Sequence, residues 1–207
     1  MTLKETEALV GGLSETTKMP TLSYGLPAKW CRTGGKLRKV PGSVCSKCYA
    51  CKNAYVWPVV KNAYRARLTE ITEPTWVANM ITLMKGKKKI QSSGLFRWHD
   101  SGDFQGEWHI AKVMAIAEAT PEITHWIPTK EKAMVKRYFR MNPKPANVVI
   151  RLSAAMIDGK APEFEHTSTV TTDPAKATCR AFENKGKCGT CRKCWDVNVK
   201  NVAYLAH

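Results

Sequence analysis

LFRWHDSGDFQGEWHIAKVMAIAEATPEITHWIPTKEKAMVKRYFRMNPKPANVVIRL, residues 95–152, is the stretch that decides the fold. Leu95–Trp98 reads as a short strand between a Ser/Gly pair and an acidic turn. Glu107–Ala119 places Ile110, Val113, Met114 and Ala117 on one face, the spacing of a helix. Ile123–Ile127 is strand-like, and Thr129 can cap a helix over Lys130–Met141 that presents Met134, Tyr138 and Met141. Asn147–Leu152 carries Val148, Val149 and Ile150 in succession, as a strand buried on both faces does. Strand and helix alternating in this way predict parallel strands joined by helical crossovers. The chain of 207 residues is short for eight such units. The expected fold class is therefore α/β, a partial (β/α) barrel with parallel strands rather than a closed one.

Upstream, Tyr55–Leu68 reads as a helix in which Pro58 fits only the first turn. Thr72, Glu73 and Pro74 announce another helix, which carries Trp76, Val77, Met80, Ile81 and Met84 and stops at Gly86. Leu22–Gly25 is a short strand, and the Gly-, Pro- and Lys-rich segment from there to Ser46 reads as loop. Downstream, strands are predicted near Ser168–Thr172 and over Val197–Leu205. Three regions follow: a loosely structured N-terminus, 1–20; an α/β domain, 21–178; and a Cys-rich C-terminal segment, 179–207, packed on the same domain.

The eight cysteines carry the chemistry. Cys45, Cys48 and Cys51 recur at two-residue intervals, and so do Cys188, Cys191 and Cys194. Cys31 and Cys179 each precede one triplet, so the thiols divide into two groups of four. Four thiolates are what one tetrahedral zinc or one [4Fe–4S] cluster requires. Three cysteines in succession at this spacing favour iron–sulfur over zinc, whose sites more often show two separated Cys-x2-Cys pairs. Cys51 reads either as a ligand or as a spare thiol. Tyr49, within CSKCYAC, reads as a shield for a cluster or as a core residue.

Ionisable and hydroxyl side chains sit where a parallel α/β fold builds its site, after the carboxyl ends of strands. His99, Asp100, Ser101 and Asp103 follow the strand at Leu95–Trp98 and suit contacts to hydroxyls, an amine or a ribose; a turn with Asp103 as helix cap is the plainer reading. Thr129 and Lys130 follow the next strand. Arg151, with Ser153, belongs to the third and suits a carboxylate or phosphate, or else a surface salt bridge. His109, His125 and His166 have no partner motif and read as structural.

Lys and Arg number 33 against 17 Asp and Glu, a formal charge of +16. That excess favours anionic partners such as nucleic acid, phosphorylated small molecules or acidic protein surfaces, or it is a solvated basic surface. No targeting segment and no run approaching a membrane span is visible. A thiol-reducing cytoplasm is the expected setting, which favours metal ligation over disulfides.

KVPGSVCSKCYA (Lys39–Ala50), FRWHDSGDF (Phe96–Phe104), WIPTKEK (Trp126–Lys132) and KCGTCRKCWDVNVKNVAY (Lys187–Tyr204) together resemble a bacteriophage family, the gene-product-eighty-eight-like proteins. The placing of PGSxCxxCYA ahead of a parallel α/β segment is also similar to radical S-adenosylmethionine (SAM) enzymes. That resemblance implies a [4Fe–4S] cluster held by three thiolates, Cys31, Cys45 and Cys48, with a fourth iron open to the amine and carboxylate of SAM. It implies electron transfer that cleaves SAM to a 5′-deoxyadenosyl radical. The spacing of Cys179, Cys188, Cys191 and Cys194 reads as a closed four-cysteine centre, an auxiliary cluster, and a phage origin implies residence in the host-cell cytoplasm. His99–Asp103 would stand where such enzymes contact the SAM amine. The chain departs from their usual Cys-x3-Cys-x2-Cys spacing, and four ligands at the first centre would leave no iron open. A zinc- or cluster-stabilised basic module for nucleic acid or a host protein is the alternative function.

Overall fold

The computed structural model describes residues 1–206. Six strands form one sheet in the order of the chain: β1 (Ser23–Tyr24), β2 (Leu95–Trp98), β3 (Thr124–Thr129), β4 (Val148–Ile157), β5 (Thr167–Thr171) and β6 (Asn201–Leu205). Every neighbouring pair is parallel. The sheet is open, with β1 and β6 at its two edges. The parallel α/β architecture read from residues 95–152 is thus present, while the sheet does not close on itself.

Alternation of side chains across the strands gives the sheet two different faces. Phe96 and Trp98 of β2, Ile127 of β3, and Val148 and Ile150 of β4 turn to one face, where they join Met80, Leu83 and Met84 of α4 (Trp76–Gly86), Ile110, Val113 and Met114 of α6 (Glu107–Glu118) and Met134 and Val135 of α7 (Lys132–Met141) in the main core. Burying each such side chain stabilises the fold by roughly 1.5–3 kcal/mol. Arg97, Trp126, Val149 and Arg151 alternate to the opposite, helix-free face. β4 is buried on both faces along Val148–Leu152, and it continues beyond the predicted end at Leu152 to Ile157.

The first twenty residues differ from the loosely structured segment expected. α1 (Leu3–Ala8) is closed by a capping box between Thr2 and Glu5, which satisfies two otherwise orphaned donors. Leu3 rests against Gly86, where a Cβ would collide with its methyl carbons. Val10 is fully buried. Arg67 of α3 (Pro58–Glu70) ties the following turn down by donating to the Gly11 carbonyl at 3.1 Å and to Ser14 Oγ at 2.8 Å. The short polar segment lacks apolar periodicity, so its order comes from tertiary partners rather than from local pattern.

From β1 to Ser46 the chain reads as loop in sequence but holds α2 (Arg32–Leu37), and three 3-10 turns follow at Val44–Lys47, Tyr49–Cys51 and Asn53–Val56, so the helix expected from Tyr55 starts only at Pro58. Turns of this kind redirect the chain every few residues and leave Cys45, Cys48 and Cys51 half-buried. A further short helix, α5 (Lys88–Ser93), follows the stop at Gly86 and ends on Gly94 at φ +61°, a left-handed stop that glycine adopts without strain.

Candidate metal centres and the ionisable groups between them

The segment bearing the first thiol group lies over the carboxyl ends of the strands. Its attachments are specific. Glu131, just after β3, accepts from the Thr33 N–H at 2.8 Å and the Thr33 hydroxyl at 2.7 Å. Tyr49 donates to the Asp100 carbonyl at 2.5 Å, and Ser43 bridges to Met156 at the end of β4. Within the segment, a Cβ built on Gly34 would stand 3.4 Å from Cys45 Sγ and 3.7 Å from Cys31 Sγ, so both sulfurs flank one point. Cys48 lies within electrostatic reach of Cys51 and Cys45, and Cys31 within that of Cys45 and Cys48. Burial pushes the thiols of Cys31, Cys45 and Cys48 up; Lys130 opposes this at Cys45.

The second group occupies the helix-free face and spans the two edges of the open sheet. Cys188 N–H donates to the Lys18 carbonyl at 3.0 Å on the β1 side, and Cys179 N–H donates to the Ala203 carbonyl of β6 at 2.9 Å. Cys188 is within electrostatic reach of Cys179 and Cys191, and Cys194 of Cys179. Cys194 Sγ lies 3.2 Å from the Tyr204 hydroxyl. Burial pushes the Cys194 thiol up to about 11. All eight cysteines are free thiols.

Among the described residues, no three His, Cys, Asp or Glu side chains are gathered as a single metal ion would need. A tetrahedral zinc at Zn–S ≈ 2.3 Å draws its sulfurs to about 3.8 Å from one another. A cluster spreads its thiolates wider, because each binds a different iron. Four thiols in each group are the donor count that either a tetrahedral zinc or a [4Fe–4S] cluster would take. The rising thiol pKa values mean that ligation must displace protons.

Arg97 stands between the two groups. It is the register partner of Ser23 on β1 and of Trp126 on β3. Its guanidinium lies 4.7 Å from the centre of the Trp126 ring, and Nη1 is 3.7 Å from Met19 Sδ, which in turn is 3.8 Å from Cys188 Sγ. Arg97 is within electrostatic reach of Cys188 and Cys194 on one side and of Tyr49 and Asp100 on the other. Burial alone would lower its pKa, but Tyr49, Asp100 and Tyr204 more than offset that, and it stays cationic. Ser23 Oγ, Arg97 Nε and Trp126 Nε1 are buried donors without partners, on three adjacent strands. Orphaned donors in one row beside a thiol group suit the acceptor sulfurs of a cluster. Sequence reading passed over Arg97, since a lone Arg in a strand carries no motif; Trp126 reads as a core residue and is buried, and strand alternation puts both on the face away from the helices.

The other sequence-selected residues divide by role. Asp103 accepts from the Thr129 hydroxyl at 2.5 Å, the Lys130 N–H at 2.8 Å and the Phe104 N–H at 2.8 Å. It joins the ends of β2 and β3, and burial pushes its carboxyl up against those donors. Asp100 accepts from the Tyr64 hydroxyl at 2.6 Å and keeps Oδ1 unpartnered. His99 is buried with its ring 4.6 Å from that of Phe104, at φ +51°. Burial lowers its pKa to about 4. Ser101 alone of the four lines a cleft, with Trp30, Tyr55 and Tyr64. Arg151 does not reach this rim. It is fully buried on the helix-free face, and its guanidinium donates to the carbonyls of Lys193, Cys194, Asp196, Val199 and Thr167. With those donors engaged, it anchors the second cysteine segment rather than an anionic ligand. A second cleft of about 280 Å³ opens between Thr33, Lys130, Lys132, Ser153 and Lys160, beside the first thiol group.

An open parallel α/β sheet that holds one cysteine-rich loop over its strand ends and another across its helix-free face defines a single-sheet α/β protein with two thiol groups. A family model described as Gene product 88 matches residues 2–197, and the chain belongs to that family. This is the gene-product family that the motifs resembled. No curated protein and no solved structure matches the chain. Among the described residues, no helix is long and apolar enough to cross a membrane.

Proposed function

We propose that this chain is a phage iron–sulfur protein with two centres, built as a partial radical-SAM-like barrel and working in the host-cell cytoplasm. The observation that carries the reading is the gathering of thiols from distant parts of the chain into two places, one over the carboxyl ends of the strands and one across the helix-free face. Cys31, Cys45 and Cys48, with Cys51 beside them, would hold the first centre. Cys179, Cys188, Cys191 and Cys194 would hold the second, which staples the two edges of the sheet together.

An iron–sulfur cluster supplies one-electron transfer and, at an iron without a protein ligand, a place for an amine and carboxylate such as those of SAM. The residues around it do the rest. Lys130 places a cation beside Cys45 and donates to the Ala154 carbonyl at 2.7 Å. Asp103 fixes the Thr129–Lys130 turn. Three lysines at the neighbouring cleft favour a small substrate with negative charge. Of the contacts expected for a cofactor, Asp100 Oδ1 and His99 Nε2 are buried polar atoms without partners.

The test is iron and acid-labile sulfide analysis of protein prepared without oxygen, followed by incubation with SAM and a reductant. Formation of 5′-deoxyadenosine is the expected result. Two intact clusters without SAM binding would remove the enzymatic part. Zinc in place of iron would favour the alternative, a metal-stabilised basic binding module.

A further inference from the structure

Between Glu15 and Glu70 the chain carries no acidic residue, and residues 27–69 alone hold ten Lys and Arg. The basic excess is therefore concentrated on the segment that bears the first thiol group and on α3. A cluster bound there would carry only a small negative charge, too little to neutralise that many cations. Two tryptophans on the same segment are turned to solvent, Trp30 at 60% and Trp57 at 61% exposure. Fully buried Trp76 and Trp98 show where this chain puts tryptophans that serve packing. A cleft of about 270 Å³ lies beside Trp30, walled by Tyr55 and Tyr64, rimmed by Lys29, Lys61 and Arg65, and floored by Cys51 and Ser101. The Tyr55 and Tyr64 rings lie 5.8 Å apart and the Tyr49 ring 5.6 Å from Tyr55, so three tyrosines form one aromatic cluster at this cleft.

Exposed aromatic rings give any nucleobase a face to stack on, and flanking cations track a phosphate backbone; together they are the chemistry of sequence-tolerant single-strand binding. Tryptophans can also anchor a protein partner, but cations spread along the cleft beside aromatic rings suit a polyanion whose bases stack. We propose that this face binds single-stranded nucleic acid, stacking bases on Trp30 and Trp57 and placing one base in the cleft of Trp30, Tyr55 and Tyr64. That base would lie beside Cys51 and the first thiol group, which would make a strand of nucleic acid the macromolecule presented to this centre. The binding itself requires no metal.

Fluorescence anisotropy of the full chain, prepared without oxygen, with a labelled oligouridylate or oligothymidylate tests the proposal. Expected are binding that weakens steeply with salt, a loss of about tenfold in affinity for each of Trp30→Ala and Trp57→Ala, and recovery to within about threefold in Trp30→Phe and Trp57→Phe, which retain a stacking ring. The recovery shows that the alanine variants did not merely misfold. Trp108→Ala, at another exposed tryptophan on α6, leaves affinity unchanged, and Lys29→Glu with Lys61→Glu reduces both affinity and its salt dependence. Equal binding of a duplex or of polyglutamate, with the tryptophan variants unaffected, would overturn the proposal in favour of plain charge attraction. A mononucleotide bound as tightly as the strand would overturn it in favour of a small-molecule cleft. Iron content is read separately and bears only on the metal centres.

Discussion

Arg97 lies with its guanidinium 4.7 Å from the ring centre of Trp126, its register partner across β2 and β3, at the level where the second cysteine segment crosses the sheet. Trp126 itself meets Trp195 of that segment at 5.0 Å, and Trp195 donates to the Phe96 carbonyl at 2.9 Å. One cation is thereby held against an aromatic wall next to Cys188 and Cys194. A fixed positive charge beside a cluster favours its reduced form, because reduction adds negative charge there. Arg97→Met should lower the midpoint potential of the second centre by tens of millivolts and leave the first less affected. Potentiometric titration followed by electron paramagnetic resonance reads the difference; an unchanged potential would remove Arg97 from this role.

Arg151 makes a separate prediction. Five carbonyls depend on its guanidinium, and a buried acceptor stripped of its donor costs roughly 1–3 kcal/mol. Arg151→Met should destabilise the fold by about 3–5 kcal/mol, the range seen when a buried charged network is broken. Hydrogen exchange should rise first in residues 193–199. Denaturant unfolding measures the total, and a change under 1 kcal/mol would show that the segment is held by other means.

The Glu131 carboxylate spans the N–H and hydroxyl of Thr33, which positions Gly34 and Cys31. Glu131→Ala should cost about 1.5–3 kcal/mol, as expected for hydrogen bonds to a charged group. It should also halve the iron content by loosening the first centre alone. Gly34→Ala reaches the same place by a different route, since its Cβ would come 3.0 Å from Cys31 Cβ and 3.4 Å from Cys45 Sγ. Metal analysis of both variants, beside a circular dichroism spectrum, separates loss of the centre from loss of the fold.

Three buried imidazoles set the acid limit of stability. Burial lowers the pKa of His125 to about 3 and of His99 to about 4, and lowers His109 well below its ordinary value. The unfolded chain takes up these protons near pH 6.5, whereas the folded chain does so only at much lower pH. Their contribution is therefore complete above about pH 6.5 and is lost as pH falls from there toward 4, each histidine removing about 1.4 kcal/mol per pH unit. His125 accepts from Trp98 Nε1 at 3.1 Å and lies 3.0 Å from the Thr120 hydroxyl, so His125→Gln should flatten this slope. Urea midpoints measured between pH 4 and 7 check it.

Much of this was readable beforehand, and the reasons are particular. Val148, Val149 and Ile150 announce a doubly buried strand because both faces of β4 are covered, one by helices and the other by the second cysteine segment. His125 and His166 read as structural, and their rings bond within the fold, His166 Nε2 lying 2.7 Å from the Val197 carbonyl. Asp103 had a plainer reading as a helix cap; the helix after it starts behind Gly106 with no side-chain cap, and the carboxylate instead accepts from Phe104 N–H, the Thr129 hydroxyl and Lys130 N–H. Arg151 misled because its strand position suggested the rim, while alternation turned it onto the helix-free face. α1, α2 and the 3-10 turns stayed hidden because their order depends on partners distant in sequence, such as Gly86 for Leu3 and Glu131 for Thr33.

The claim on which the rest stands is that two sets of thiols hold two separate clusters. Iron and sulfide counted in protein prepared without oxygen, for the natural chain and for Cys45→Ala/Cys48→Ala and Cys188→Ala/Cys191→Ala, address it directly. About eight irons and eight sulfides per chain are expected, falling by about half in either double variant, as two [4Fe–4S] centres require. Zinc in their place, or an iron count that neither pair of substitutions alters, would contradict the account.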